Sequence, residues 1–436
     1  MIFLWALLVR LIFMPTTMHS DLLFTNYFPY FLSQHGVWDI YGYFGDHYLQ
    51  QGHTYYAPLI YYLTGLAQWV LRPFNPGFDE FMNHAHELMY SGSVGPIGDY
   101  LSPFSLFQRL RFVFMMKLPY LAADALCIIL IAKIFTSEQE KRRALILWLF
   151  SPVLIFSIYI FGTYRIYPAL TVWYFIYLIQ KDKKVLAAFI FGALCLMDSF
   201  PWILMAPVFL ALGRDWRERV RLGFTALGIF GAVFGALYVS SHGFVKYAYI
   251  SPVLKKAAFQ SLTNHFALSV TLVAKSVFLA LYFLILIKLF RARRAMAFLT
   301  SEKRAELIVC LSAAILFIFY ATSQTLAHYF MWILPFFVIL QAKGEPWRPS
   351  LSWILIGLLF LFNLDKRTLN LGLLMPLDPV FFLSVPSLHE VMDRWLPWGK
   401  VVGAGRLLFS FLCLIFAWDI FKIKVNPLLE NNSQIS

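Results

Sequence analysis

Residues 1–36 read MIFLWALLVRLIFMPTTMHSDLLFTNYFPYFLSQHG. An apolar run interrupted only by Arg10 ends near Pro15, and an acid, Asp21, stands where the chain turns rich in tyrosine and phenylalanine. Such a run has the length that crosses a ~30 Å hydrocarbon core. A carboxylate at its exit lies at the interface, not at mid-bilayer where it would cost more. Similar apolar runs recur to the C-terminus. Hydrophobic residues make up 60% of the 436, charged residues only 14%, and the mean hydropathy is +0.68. Soluble domains run nearer half apolar and a quarter charged. The chain is therefore an all-α polytopic membrane protein, because a large soluble core would need charged outer faces that these segments lack. The opening has no basic leader, and TTM fits a small-residue cleavage site poorly, so the first helix is expected to be retained.

The net charge of +13 raises the question of nucleic acid. Its distribution answers otherwise. Basic residues gather in short connections, KRR at 141–143, KDKK at 181–184, RDWRERVR at 214–221 and RARR at 291–294, whereas residues 19–105 carry only Arg72. That is the positive-inside pattern, and it places both termini in the cytoplasm with the long loops outside. Membrane topology accounts for the charge, and no nucleic-acid partner is expected. Predicted spans are about 1–18, 108–135, 144–161, 164–180, 185–197, 199–213, 222–240, 266–290, 305–321, 329–342, 351–364 and 401–421. Asp198 and Pro201 interrupt the short fifth and sixth, which are either two spans or one re-entrant hairpin, giving about 10–12 transmembrane helices. Cys127, Cys195, Cys310 and Cys413 all sit in apolar runs without metal-like spacing, and read as small core residues.

Three external connections are long: 19–105, 241–265 and 365–400. Long loops in compact proteins are functional or disordered, and the aromatic content of the first argues against disorder. Within it, 21–34 and 55–71 are predicted as helices lying in the membrane interface, where aromatic rings are favoured. The rest is predicted as irregular loop. No internal repeat is visible, which disfavours an inverted-repeat transporter.

Asp21 faces an aromatic, partly desolvated setting, which raises a carboxylate's pKa and fits it as a general base for a hydroxyl. The competing reading is an N-cap for the helix at 22–34. Asp39 and Asp46, in WDIYGYFGDHY, are candidates for a second acid, or for turn chemistry beside Gly42 and Gly45. Arg111, Lys117, Arg165 and His328 lie near predicted outer ends, as phosphate ligands or as snorkelling and orienting residues. Arg10, a cation inside a span, needs a partner, and Asp124 is a candidate. Asn83-His84-Ala-His86-Glu87 lacks the spacing and closed shell of a zinc site, so no metal is assigned.

Several stretches in order carry a resemblance. The exit acid is followed by an interfacial helix, Tyr55-Tyr56-Ala57-Pro58-Leu59, and a span with Lys117-Leu-Pro-Tyr-Leu-Ala-Ala-Asp124. Then come Arg143-Ala-Leu-Ile-Leu-Trp-Leu-Phe-Ser-Pro152, Tyr249-Ile-Ser-Pro-Val-Leu and His328-Tyr-Phe-Met-Trp-Ile-Leu-Pro335. To about residue 340 this resembles the GT-C superfamily of integral-membrane glycosyltransferases, the group that includes the polyprenyl-phosphate-sugar-dependent mannosyltransferases. A catalytic module over 1–340 and additional C-terminal helices over 341–436 are expected. The resemblance implies an inverting transfer of a sugar, mannose-like hexose favoured, from a polyprenyl phosphate to a lipid-linked glycan or other envelope acceptor. It places this at the external face of a cell membrane, with Asp21 deprotonating the acceptor. Tyr55 and Tyr56 would line the donor or acceptor pocket. No cofactor is assigned, and a divalent cation held by Asp39 or Asp46 is the less favoured alternative. Relatives often carry Gly-Gln-x-Asp where this chain has Gly162-Thr-Tyr-Arg165, and a lysine where it has Asp198. The absence of a Gly-rich phosphate cradle agrees with a lipid-phosphate donor. The rival readings are a lipid or glycolipid transporter and a membrane glycan polymerase or ligase.

Overall fold

A computed structural model describes residues 2–50, 56–90, 97–241, 243–246, 265–323, 326–344, 349–361 and 371–430. Among these residues every regular element is helical. Six helices are long and apolar enough to cross a membrane: Leu106–Ile134, Glu138–Ile160 (broken near Pro152), Trp216–Ser240, Val273–Arg291, Ser301–Thr322 and Trp398–Glu430. The helices α1 (Ile2–Thr16) and α2 (Ser20–His35) pass the same test as one unit but meet at 76°. The protein is thus a multi-pass integral membrane protein, as its composition requires.

Several predicted spans are shorter than a bilayer. Lys184–Cys195 and Phe200–Leu212 are helices of 12 and 13 residues, about 18–20 Å at 1.5 Å per residue. They pack against each other and set Asp198 at their junction. The predicted span at 329–342 is a 3₁₀ turn, Ala327–Trp332, followed by a 9-residue helix, Leu334–Ala342. The segment 19–105 holds more helix than predicted: besides α2 and Pro58–Leu71, helices form at Ile40–Gln50 and Phe78–Tyr90. The last starts with Asp79 and Glu80, which favour a helix N-terminus. It buries Phe81, Met82, Ala85 and Met89 at helical spacing.

Ser301–Thr322 is buried nearly all round and forms the centre, against which Trp398–Ile420, Phe200–Leu212 and Ile166–Gln180 pack. The C-terminal helix therefore joins the same bundle. The outward faces of α1, of Trp216–Ser240 and of Val273–Arg291 leave large apolar side chains exposed, as lipid-facing helices do. The basic connections meet at one end. Arg214 pairs with Asp182 (3.5 Å), Lys184 with Glu218 (3.0 Å), Arg219 donates to the Arg293 carbonyl (2.9 Å), and Arg304 to that of Leu212 (2.8 Å).

The intramembrane cation has the partner proposed for it. Arg10 Nε donates to Asp124 Oδ2 at 2.7 Å, with both side chains buried. The same carboxylate accepts from Trp148 Nε1 (2.7 Å) and the Tyr159 hydroxyl (2.6 Å), so α1, Leu106–Ile134 and Glu138–Ile160 share one polar knot. Removing one member of a buried pair strands a charge and costs about 3–5 kcal/mol. Asp124→Ala is expected to lower the thermal unfolding temperature of the detergent-solubilised protein markedly. The Arg10→Met/Asp124→Leu pair should lower it less.

Candidate active site

Asp21 lies in the first turn of α2, and the cap itself is His19, whose Nδ1 accepts from the Asp21 amide at 3.2 Å. The carboxylate is not used as an N-cap. Its side chain remains 27% exposed, enough for a reactant to reach it. What puts it there is the break at 17–19. Lys117, fully buried, donates to the carbonyls of Phe13 (3.3 Å) and Thr17 (2.5 Å) at the end of α1, to Thr17 Oγ1 (3.1 Å), and to the Tyr159 carbonyl (2.6 Å). Its Nζ donors thus face the carbonyl end of α1.

Tyr159 lies in a π-turn, Ile155–Ile160, after which the chain reverses at Gly162. Gly162 has φ +89°, and a Cβ on it would meet Leu22 Cβ at 3.1 Å and Lys117 Cε at 3.2 Å. A glycine is needed here for both the dihedral and the close approach. The turn delivers Arg165 to the start of Ile166–Gln180. Arg165 is 4% exposed, lies over the Tyr329 ring at 4.2 Å and the Tyr164 ring at 5.3 Å, and acts electrostatically on Asp21, Asp198 and His328. Its Nε and Nη1 are buried with no hydrogen-bond partner among the described residues. Buried polar groups are normally satisfied. Two orphaned donors on a permanent cation are an anion-shaped deficit.

The late 3₁₀ segment closes the site. Phe161 lies between the rings of His19 (3.8 Å) and His328 (4.6 Å). Trp332 Nε1 donates to Asp198 Oδ2 at 2.9 Å, and the Ser199 amide donates to Asp198 Oδ1 at 2.7 Å. Tyr56 approaches from the outer segment, its ring 5.0 Å from Tyr164.

These groups polarise one another. Burial pushes the Asp21 carboxyl up, but His19, then His328 and Arg165, outweigh it and hold it below the ordinary carboxylate value. The expectation of a raised pKa is thus overturned, because His19 first, and the charges around it, outweigh desolvation. Burial raises Asp198 despite Arg165, the Ser199 amide and Trp332. Burial and then the Arg165 charge depress His328 well below 6.5, so it is a neutral imidazole near neutral pH, its buried Nδ1 without a partner among the described residues. Burial and the Asp21 charge keep the Tyr56 phenol protonated, well above its usual value.

Of the residues singled out in the sequence, Asp21, Tyr56, Arg165 and His328 come together. Lys117 is beneath the site, with its donors given to backbone carbonyls. Arg111 is elsewhere, donating to the Pro76 carbonyl and resting on Phe107 and Phe112. Asp39 has turn chemistry: Oδ1 accepts from the Gly42 amide (2.7 Å) and from Ser241 Oγ. Tyr55, the Asp46 side chain and the Tyr249 stretch lie outside the described residues. His84 and His86 sit on the helix Phe78–Tyr90, not in loop. His84 Nε2 is 3.2 Å from the Asp99 carbonyl, and His86 Nδ1 is 2.5 Å from the Tyr27 hydroxyl. Asp198, Tyr164, Tyr329 and Trp332 were not proposed as site residues. The interruption at Asp198–Pro201 and the His328–Pro335 signature were the signals that could have found them.

A carboxylate, a neutral imidazole and a buried arginine with unpartnered donors thus meet at one end of a membrane bundle. The family model of glycosyltransferase family 87 matches residues 100–327, more than half of the chain, and the protein belongs to that family. It is therefore a glycosyltransferase, not a transporter. No curated protein and no solved structure matches the chain. The match spans Lys117, Gly162, Arg165 and Asp198, and leaves Asp21, Tyr56 and His328 outside it.

A carboxyl with a depressed pKa loses its basic form only below that pKa. Asp21 therefore keeps its basic form at every pH above the ordinary carboxylate value. The kcat/KM profile is expected to show no acid limb above pH 5 attributable to Asp21, and His19→Ala should move the limb upward. A limb near pH 6.5 that survives His19→Ala would contradict the assigned electrostatics.

Proposed function

We propose that this glycosyltransferase moves a hexose, mannose-like by its resemblance, from a polyprenyl-phosphate donor to a lipid-linked glycan or other envelope acceptor. Asp21 takes the proton of the acceptor hydroxyl, the freed oxygen attacks the anomeric carbon from the face opposite the phosphate, and the carbon–oxygen bond to phosphate breaks. The anomeric centre inverts, and the departing phosphate carries the charge that Arg165 receives. His328, neutral, serves as a hydrogen-bonding group and not a second cation. The observation that carries the reading is the pair of buried, unpartnered donors on Arg165 acting on Asp21. Preorganised donors aimed at developing negative charge are usually the largest single contribution to such catalysis.

The face is argued from charge. Arg165 and Lys181 stand at opposite ends of Ile166–Gln180, about 22 Å apart along the axis. The site is thus at the end away from the basic connections, and the positive-inside rule makes that end external.

Turnover of radiolabelled polyprenyl-phosphate sugars by purified, reconstituted protein tests the assignment. Asp21→Asn is expected to lower kcat by at least ~10²-fold, the scale of general-base catalysis, with donor KM little changed. Arg165→Ala is expected to raise donor KM about tenfold or more, the weight of a charge-assisted contact. Full turnover by Asp21→Asn would remove the base, and unchanged donor KM in Arg165→Ala would remove the phosphate ligand.

A further inference from the structure

Packing aims Arg165, since no hydrogen bond among the described residues fixes its Nε or Nη1. The guanidinium lies over the face of Tyr329 at 4.2 Å and near the Tyr164 ring at 5.3 Å. A cation held over a ring face keeps its N–H donors open to an incoming anion. The aim of Arg165 therefore depends on whatever fixes the Tyr329 ring.

Tyr329 stands in the 3₁₀ turn Ala327–Trp332. Three residues make one turn of such a helix, so the side chains of Tyr329 and Trp332 eclipse, and their rings meet edge to face at 4.9 Å. The hydrogen-bond geometry of a 3₁₀ turn is poor, so its register leans on contacts from elsewhere. One such contact is the Tyr320 hydroxyl, which donates to the Tyr329 carbonyl at 2.8 Å. Another reaches across 134 residues, where Trp332 Nε1 donates to Asp198 Oδ2 at 2.9 Å and the indole stacks on Phe200 at 5.3 Å. Asp198 is itself pinned: its amide donates to the Leu194 carbonyl (3.2 Å), and its Oδ1 accepts from the Ser199 amide (2.7 Å). Asp198 and Trp332 are both buried.

We infer that Asp198 is a positioning residue for the donor: through Trp332 and Tyr329 it fixes the seat from which Arg165 presents its two unpartnered donors to the phosphate. A carboxylate suits this task because it only accepts, and its two oxygens meet two N–H groups, the Trp332 indole and the Ser199 amide. An Asn in its place would turn its own NH₂ toward one of them. A direct electrostatic role would run the other way, since a negative charge beside the site opposes the arrival of a phosphate. Asp198 is not a hydrogen-bond partner of Arg165 Nε or Nη1, so it leaves open the donors that the phosphate needs. The inference rests on Arg165 receiving the phosphate, and adds what holds Arg165 in place.

Donor KM of the full chain in lipid nanodiscs, measured with radiolabelled polyprenyl-phosphate sugars, tests this line of contacts. Tyr329→Leu removes the ring under the guanidinium and is expected to raise donor KM about tenfold. Tyr329→Phe keeps the ring and should stay within about twofold of wild type. Trp332→Phe and Asp198→Asn are each expected to raise donor KM about fivefold, the scale of one lost buried hydrogen bond. The double variant should be no worse than the worse single one, because both act on one bond. In an Arg165→Ala background neither substitution should change donor KM further, which a general loss of fold would not reproduce. Trp332→Phe preserves the packing and carries the test from the other side of the bond if Asp198→Asn does not fold. Unchanged donor KM in Trp332→Phe overturns the inference, as does an effect that persists undiminished in Arg165→Ala. A lowered donor KM in Asp198→Asn overturns it in favour of direct charge opposition. Unchanged donor KM in Arg165→Ala alone removes the phosphate ligand and this inference with it. A raised value there beside wild-type values in the Trp332 and Asp198 variants strikes this inference only.

Discussion

The Lys117 amine is the contact on which the site depends. It has no carboxylate of its own, and it is stable in an apolar bundle only because backbone oxygens from two elements converge on it. Those oxygens come from the end of α1 and from Tyr159 at the π-turn. The contact therefore ends one helix, anchors another, and leaves between them the notch where Leu22 presses on Gly162. Asp21 and Arg165 are neighbours because both chains leave that notch together. Arg10 and Asp124, deeper in the bundle, tie the same elements and resist their separation.

Above this support Arg165 keeps two buried donors without a partner among the described residues, and its charge is among those that hold Asp21 below the ordinary carboxylate value. The low polarity around Arg165 strengthens its field, and the same field tempers the basicity of Asp21. The base proposed here thus works by position, not by a raised pKa.

The membrane class was legible because length and hydropathy depend on composition alone, and the asymmetry of the basic clusters needs no contacts. The pairing of Arg10 with Asp124 was legible because an intramembrane cation demands a counter-charge. Arg165 and His328 could be proposed from their places in short outer connections. Lys117 could not be told from a phosphate ligand, since a buried lysine and a snorkelling one occupy similar sequence. The pKa direction of Asp21 required knowing that His19, His328 and Arg165 converge, which involves residues far apart in the chain. The helix Phe78–Tyr90 hid behind its histidines, although Phe81, Ala85 and Met89 keep a helical period. Asp198 read as an interruption of a span because its partner, Trp332, comes 134 residues later.

An experimental structure of the protein with polyprenyl phosphate bound tests the central claim most directly. The account expects a phosphate oxygen within hydrogen-bond distance of Arg165 Nε or Nη1, with the prenyl chain leaving toward lipid and the Asp21 carboxylate free across the gap. A phosphate seated on Arg111, or at the basic end near Arg214 and Lys184, with Arg165 still unpartnered, would contradict it.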